Sequence, residues 1–226
     1  MANIETERQQ LKENIIEMMH LVESQLTKSN DAFTRQDVGL AKEIHQIESR
    51  VNALDLSIDK MCENIIALLS PVASDLRFVL ASFKIVSYLE RIGDHADKIA
   101  RYVRKKQIKK SYEKELLDSV RFNEMFETAI RMINIAIDGF VNEDSSLAHK
   151  VFTEDVVMNN IYKASCYQID AYTSDVIPNL DRILYLFSII NKLERVGDLC
   201  KSIAEETIFY TDAKIIRHQK IKKLPG

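Results

Sequence analysis

Glu90 and Asp94 sit four residues apart, and so do Glu194 and Asp198. On a helix that spacing sets two carboxylates one turn apart on one face. Their oxygens can then converge on one hard cation such as Mg, Ca, Mn or iron. A second pair of oxygen-bearing side chains recurs upstream at the same spacing, as Glu48 with Asn52 and as Asp155 with Asn159. If the helices that carry them pack side by side, each half of the chain gathers a four-residue oxygen set. Asp97, three past Asp94, makes the first set the more acidic, because its downstream counterpart is Lys201. A metal is therefore expected to prefer the first set. His95 lies about 100° around the helix from Asp94 and is left outside the site. The competing reading is a solvated helix face, on which Glu90 pairs with Arg91 or Lys98 and each exposed pair contributes about 0 to 1 kcal/mol.

Other chemistries find little support. A di-metal oxidase built on a helical bundle needs a Glu-x-x-His motif from each of two helices, and only Glu17 with His20 fits. Hydrolase triads, glycine-rich phosphate loops and dinucleotide fingerprints are not readable, so no enzymatic activity is expected. Cys62, Cys166 and Cys200 are odd in number and lack CxxC spacing, which suits reduced thiols better than disulfides or a zinc cluster. The charged first residues lack the apolar core of an export signal, and no run of about 18 apolar residues suggests a membrane span. The expected location is the cytoplasm.

The paired carboxylates belong to a duplication. LERIGDHADKIA at residues 89–100 returns as LERVGDLCKSIA at 193–204, an offset of 104. Leu76, Leu80 and Phe83 precede Leu180, Leu184 and Phe187 by the same offset, as Cys62 precedes Cys166. Farther upstream, DAFTRQDVGLA at 31–41 echoes DGFVNEDSSLA at 138–148 at an offset of 107. Gly93 and Gly197 fall inside the duplicated signature. A helix-interior glycine costs roughly 0.8 to 1.0 kcal/mol against alanine, so another group is expected to pack very close at each.

Elements able to position these residues are long helices. The chain of 226 residues is 46% apolar and 29% charged with only five Gly and three Pro, too few turn formers for many short elements. Apolar residues recur at three and four spacing over residues 4–33 and 38–69. Ser70-Pro71 interrupts the pattern, and a third helix is expected from about Pro71 to Lys106. The second half repeats the plan, with helices over 112–140 and 144–172, a stop at Ile177-Pro178, and a last helix to about Tyr210. The fold class is all-α, with two tandem three-helix bundles over residues 1–108 and 109–226, and an elongated rod or plate as the overall architecture.

Basic clusters close both bundles, RYVRKKQIKK at 101–110 and KIIRHQKIKK at 214–223. They can complement helix C-terminal dipoles at roughly 0.3 to 1 kcal/mol each, or meet an acidic partner or an anionic membrane surface peripherally. A net charge of -3 and no basic groove with aromatic residues interleaved through it argue against sequence-specific nucleic-acid binding.

SPVASDLRFVLASFKIVSYLERIGDHADKIA, taken with LYLFSIINKLERVGDLCKSIAEE, resembles the PhoU family of phosphate-signalling proteins along essentially the whole chain. The resemblance rests on Pro71, Ala73, Asp75, Leu76 and Arg77 together with the doubled Glu-Arg-x-Gly-Asp. It implies two three-helix bundles, often as a homodimer. It also implies an adaptor between the ATPase subunit of a phosphate ABC transporter and a sensor histidine kinase, which holds the phosphate-starvation response off and restrains uptake. Alternatives are a paralogue serving another transporter and a metal-binding or metal-sensing bundle. No cofactor is required by the resemblance, but some members hold iron, zinc or other divalent ions through Glu/Asp-x-x-x-Asp motifs. These map onto Glu90 with Asp94 and Glu194 with Asp198. Where the family commonly has Asp-x-x-x-Asp on the second helix, Asn52 and Asn159 each remove one charge.

Overall fold

The computed structural model describes residues 3–108, 111–173 and 180–216. Among them are seven helices and no strand: α1 (Ile4–Arg35), α2 (Val38–Leu69), α3 (Ala73–Arg104), α4 (Lys114–Ser119), α5 (Phe122–Val141), α6 (Ser145–Thr173) and α7 (Leu180–Asp212). Helices α1, α2 and α3 pack mutually, as do α5, α6 and α7. The all-α expectation and the two three-helix units are thereby met. No helix among the described residues is long and apolar enough to cross a membrane.

The repeat is visible in the turns. Gln36 adopts a left-handed conformation (φ 53°), and Asp37 then caps α2 by accepting from the Leu40 amide at 2.9 Å. Offset by 107, Glu143 is left-handed (φ 51°) and Asp144 accepts from the Ser146 amide at 2.7 Å ahead of α6. A left-handed residue ends one helix and a carboxylate satisfies free amides of the next, so both hairpins turn in the same register. Gly139 lets α5 approach α6 closely: a Cβ there would lie 3.0 Å from the Ala148 backbone nitrogen.

Two boundaries differ from the sequence pattern. The helix expected over 112–140 is broken into α4 and α5 at Val120 and Arg121. Arg121 is left-handed (φ 52°) and held by Glu124 through its guanidinium. The Val120 carbonyl accepts from Ser165 Oγ of α6 at 2.6 Å, so a tertiary partner satisfies a group that a continuous helix would have paired internally. Nor does α3 begin at Pro71, for Ser70 and Ala73 both take positive φ (48° and 45°) and the helix starts at Ala73. The expected stop at Ile177-Pro178 lies outside the described residues.

The halves are joined by more than their basic connection. Helices α3 and α7 run antiparallel against one another, with Lys84 reaching Glu206 at 3.6 Å near one end. Toward the other, Lys192 Nζ donates to Ser188 Oγ at 2.7 Å and to the Tyr102 hydroxyl at 3.2 Å. One continuous apolar core holds buried residues of both repeats, including Leu11, Ile85 and Leu89 with Met125, Ile133 and Leu193. Cys62, Cys166 and Cys200 carry free thiols, and burial pushes that of Cys62 up to about 12.

Candidate functional site

The duplicated signature lies on the last helix of each bundle, where it meets the second. In the first repeat Gly93 makes the contact possible. A Cβ at that position would stand 2.8 Å from Gln25 Oε1 and 3.0 Å from Glu48 Oε2, so the missing side chain leaves room for two polar groups, one from α1 and one from α2. Gln25 Nε2 donates to Glu48 Oε2 at 2.8 Å. Gln25 Oε1 is fully buried and has no hydrogen-bond partner. A buried acceptor left in this way costs free energy unless a cation, a proton or water meets it.

The surrounding charge is negative. Burial raises the Glu48 carboxyl above the ordinary glutamate range; the Gln25 hydrogen bond opposes this, while Asp97, Asp94 and Glu90 reinforce it. Glu90 is raised by burial, then by Asp94 and by Asp55 of α2, with Lys98 and Arg91 pulling the other way. Asp94 pairs with Lys98. Asp97 accepts from Arg104 at 2.9 Å and lies 3.2 Å from His45 Nδ1. Asn52 is exposed. Among the described residues no three His, Cys, Asp or Glu side chains are drawn tightly enough together to hold a metal ion. Asp97, Asp94 and Glu90 each act on Glu48 through their negative charge.

The second repeat has the same skeleton with other contents. Asp155 is buried and accepts from Lys201 Nζ at 3.2 Å. Lys201 also stands 3.9 Å from Asp198, and Arg195 lies 3.7 Å from both Glu194 and Asp198. Burial by itself disfavours the Lys201 ammonium, but Asp155, then Asp198 and Glu205, outweigh it and hold the group above the ordinary lysine range. Burial and Asp198 raise Glu194, against Arg195. A Cβ at Gly197 would stand 3.1 Å from Met158 Cγ and 3.4 Å from Met132 Sδ, so apolar groups stand where the first repeat has Gln25 and Val51. Asn159 is half-buried.

Residues set aside in the sequence have other duties. Glu17 pairs with Arg50 and His20 is exposed. His95 is pushed down to about 4, by burial first, with Lys98, Lys192 and Arg91 acting the same way against Asp94. Of the first basic cluster, Arg104 is spent on Asp97 while Arg101, Lys105 and Lys106 are exposed. Most of the second cluster lies outside the described residues.

Gln25, which the motifs did not reveal, sits on the first helix with no partner spacing to announce it. A comparison at the 107 offset, where its counterpart is Met132, was the available signal. Leu80 and Phe83 were legible as repeat markers only. They are 41% and 47% exposed, and Leu184 is 54% exposed.

Glu48 gives a pH test. A carboxyl raised in the folded state contributes stability below its unfolded value and loses it as pH rises through the folded value. In metal-free buffer, Glu48→Gln is expected to melt higher than the parent at pH 8. The difference should shrink as pH falls toward the ordinary glutamate value of 4.5. Thermal melts across that range check it; a difference that does not vary with pH would mean Glu48 is not the strained carboxyl.

Comparison with known proteins gives consistent matches. A PhoU domain is matched twice, over residues 15–103 and 122–207. The chain is 32% identical over 217 residues to the phosphate-specific transport system accessory protein PhoU homolog of Aquifex aeolicus, covering 96% of each. It is 31% identical over 212 residues to the phosphate-specific transport system accessory protein PhoU of Escherichia coli K12, covering 94% of this chain and 86% of that one. Among solved structures it superposes on PhoU from Pseudomonas aeruginosa with a TM-score of 0.87 at 29% identity, covering 94% of this chain and all of the other.

Proposed function

Because the chain belongs to the PhoU family, we propose that it is an accessory regulator of phosphate transport and acts by binding. It restrains uptake and keeps the phosphate-starvation response off when phosphate is plentiful, bridging the ATPase subunit of a phosphate ABC transporter and a sensor histidine kinase. The observation that carries this reading is a duplicated surface. The outer ridge of α3 bears Leu76, Leu80 and Phe83, then Glu90 and Asp94 at the same helical spacing. The ridge of α7 repeats it with Leu180, Leu184 and Phe187, then Glu194 and Asp198. Leu80, Phe83, Leu180 and Leu184 are exposed on these ridges, and exposed apolar side chains grouped in this way mark interaction sites. Beside the first ridge, burial raises Asp55 and Asp59, and Glu63 adds to the effect at Asp59.

An apolar strip bordered by carboxylates matches an amphipathic helix with a basic flank, and the charges fix partner and register more than they supply affinity. Two such strips on one chain suit an adaptor with two partners. To move a kinase toward its inactive state, the protein must bind the kinase's two states unequally. A divalent cation at the first repeat would draw on Glu90 and Asp94, one turn apart on α3, and would reduce the negative charge presented to partners.

The test is a phosphate-starvation reporter, read with phosphate uptake, in cells lacking this protein and grown in abundant phosphate. Derepression with excess uptake, reversed by the intact chain, is the expected outcome. No change in either would overturn the negative-regulator reading.

A further inference from the structure

We infer that the seam between α3 and α7 binds a small tetrahedral oxyanion of the phosphate class, at the end where Lys192, Tyr102 and Ser188 meet. Binding there goes beyond the regulatory reading and does not rest on it. Lys192 Nζ donates to Ser188 Oγ at 2.7 Å, to the Ser188 carbonyl at 3.4 Å and to the Tyr102 hydroxyl at 3.2 Å. The hydroxyls of Tyr102 and Ser188 lie 2.8 Å apart. Every oxygen this ammonium meets is therefore neutral, and among the described residues it reaches no carboxylate. The two hydroxyls share one hydrogen bond, so one O–H hydrogen is left without an acceptor inside the trio. All three residues are half-buried. A half-buried ammonium beside a surplus of donors is best met by an anion with several acceptor oxygens. Its place between two helices suits a free ion better than a group carried on a chain or a bilayer.

The duplication supplies an internal comparison. At the 104 offset Tyr102 corresponds to Glu206, Ser188 to Lys84 and Lys192 to Tyr88, so the two ends of the antiparallel seam hold equivalent positions. At the far end Lys84 lies 3.6 Å from the fully buried Glu206 carboxylate. There the fold brings its own anion to the ammonium. At the Lys192 end a phenol stands in the place of that carboxylate, and Arg101 stands where the far end has Glu205. The potential around the trio is accordingly positive. Burial raises the Tyr102 phenol, but hydrogen bonds from Ser188 and Lys192 and the charges of Lys192 and Arg101 outweigh it and hold the group below the ordinary tyrosine range. His95, seven residues before Tyr102, comes to the same side of α3. Burial lowers its imidazole, and Lys98, Lys192 and Arg91 add to this against Asp94. Its Nδ1 is buried with no hydrogen-bond partner.

The experiment titrates the purified full chain with inorganic phosphate at constant ionic strength, balanced with chloride, and follows heat by calorimetry and the Tyr102 ring by NMR. Saturable binding that moves the Tyr102 resonances is expected. Lys192→Gln removes the charge and should weaken binding by roughly tenfold or more, the loss of one charge-assisted hydrogen bond. Lys163→Gln, at an exposed lysine of α6, should leave it unchanged. If Lys192→Gln fails to fold, Tyr102→Phe with Ser188→Ala takes its place, read by calorimetry alone, since it removes both hydroxyl donors and keeps the charge; a similar weakening is expected. No saturable binding by about 10 mM phosphate, or equal binding by the parent and the seam variant, would overturn the inference. So would binding to phosphatidylglycerol vesicles without binding of free phosphate, which would point to a membrane contact. Because the readout is binding by the isolated chain, failure of the starvation reporter leaves this result standing, and failure here leaves the regulatory reading standing.

Discussion

Replacing Phe122 with alanine is expected to destabilise the protein by about 3 to 5 kcal/mol, the range for a fully buried phenylalanine whose loss leaves a cavity. Phe122 is fully buried at the start of α5. Its ring stands 4.7 Å from that of Phe33 at the end of α1 and 5.3 Å from that of Phe126. Phe33 in turn stacks on Tyr112 at 5.6 Å, whose hydroxyl donates to the Arg182 carbonyl of α7 at 2.8 Å. One aromatic cluster therefore locks the end of the first repeat to the beginning of the second. For a chain of this size the fall in melting temperature should be on the order of 10 °C. Calorimetry of Phe122→Ala beside Phe83→Ala checks it, since Phe83 is half exposed and its loss should cost only about 0.5 kcal/mol. Similar melting of the two variants would show that the repeats do not depend on this junction.

Leu80→Ser combined with Phe83→Ser should have the opposite profile, with folding nearly untouched and regulation lost. Both side chains are exposed on the α3 ridge, so the folded chain gains little from them. A partner that buries them gains about 1.5 to 3 kcal/mol from each. Removing both should weaken that complex by roughly a hundredfold or more, at 1.4 kcal/mol per factor of ten. Cells carrying the double variant should then express the starvation response in abundant phosphate, as cells without the protein would. Serine is chosen because it removes apolar surface without changing the charge of the acidic border. Normal melting with normal repression would exclude the α3 ridge as a binding surface and leave α7 or the basic ends.

The contrast between Phe122 and Phe83 shows how far the pattern of residues could be read. Both are phenylalanines in helices at apolar-periodic positions. Period 3.6 says which residues share a face, but not whether a neighbour covers that face. The packing of α3 on α7 settled it, burying one flank of α3 and leaving the Leu80 and Phe83 ridge uncovered.

The carboxylates follow the same logic. Glu90 with Asp94, and Glu194 with Asp198, were legible as duplicated pairs because helical spacing alone puts each pair on one face. The spacing of Glu48 with Asn52 and of Asp155 with Asn159 put each pair on one face of its helix, but what faces Glu48 and Asp155 from the neighbouring helices came from the packing, which buries both. Gln25 was not legible, because its relation to Glu48 and Gly93 spans three helices and leaves no trace in the spacing of any one.

By itself, the sequence determined the all-helical class, the duplication and its two offsets, the breaks between helices over 33–38 and 140–144, and which carboxylates share a helix face. All are consequences of local periodicity and of repetition along the chain. Only the tertiary structure decided where the helix after residue 112 breaks, which apolar ridge stays exposed, that α3 and α7 fuse the repeats through one core, and which carboxylates keep an unmatched charge. Those outcomes depend on what faces each side chain from another helix: Ser165 on the Val120 carbonyl, Gln25 beside Glu48, and Lys201 against Asp155.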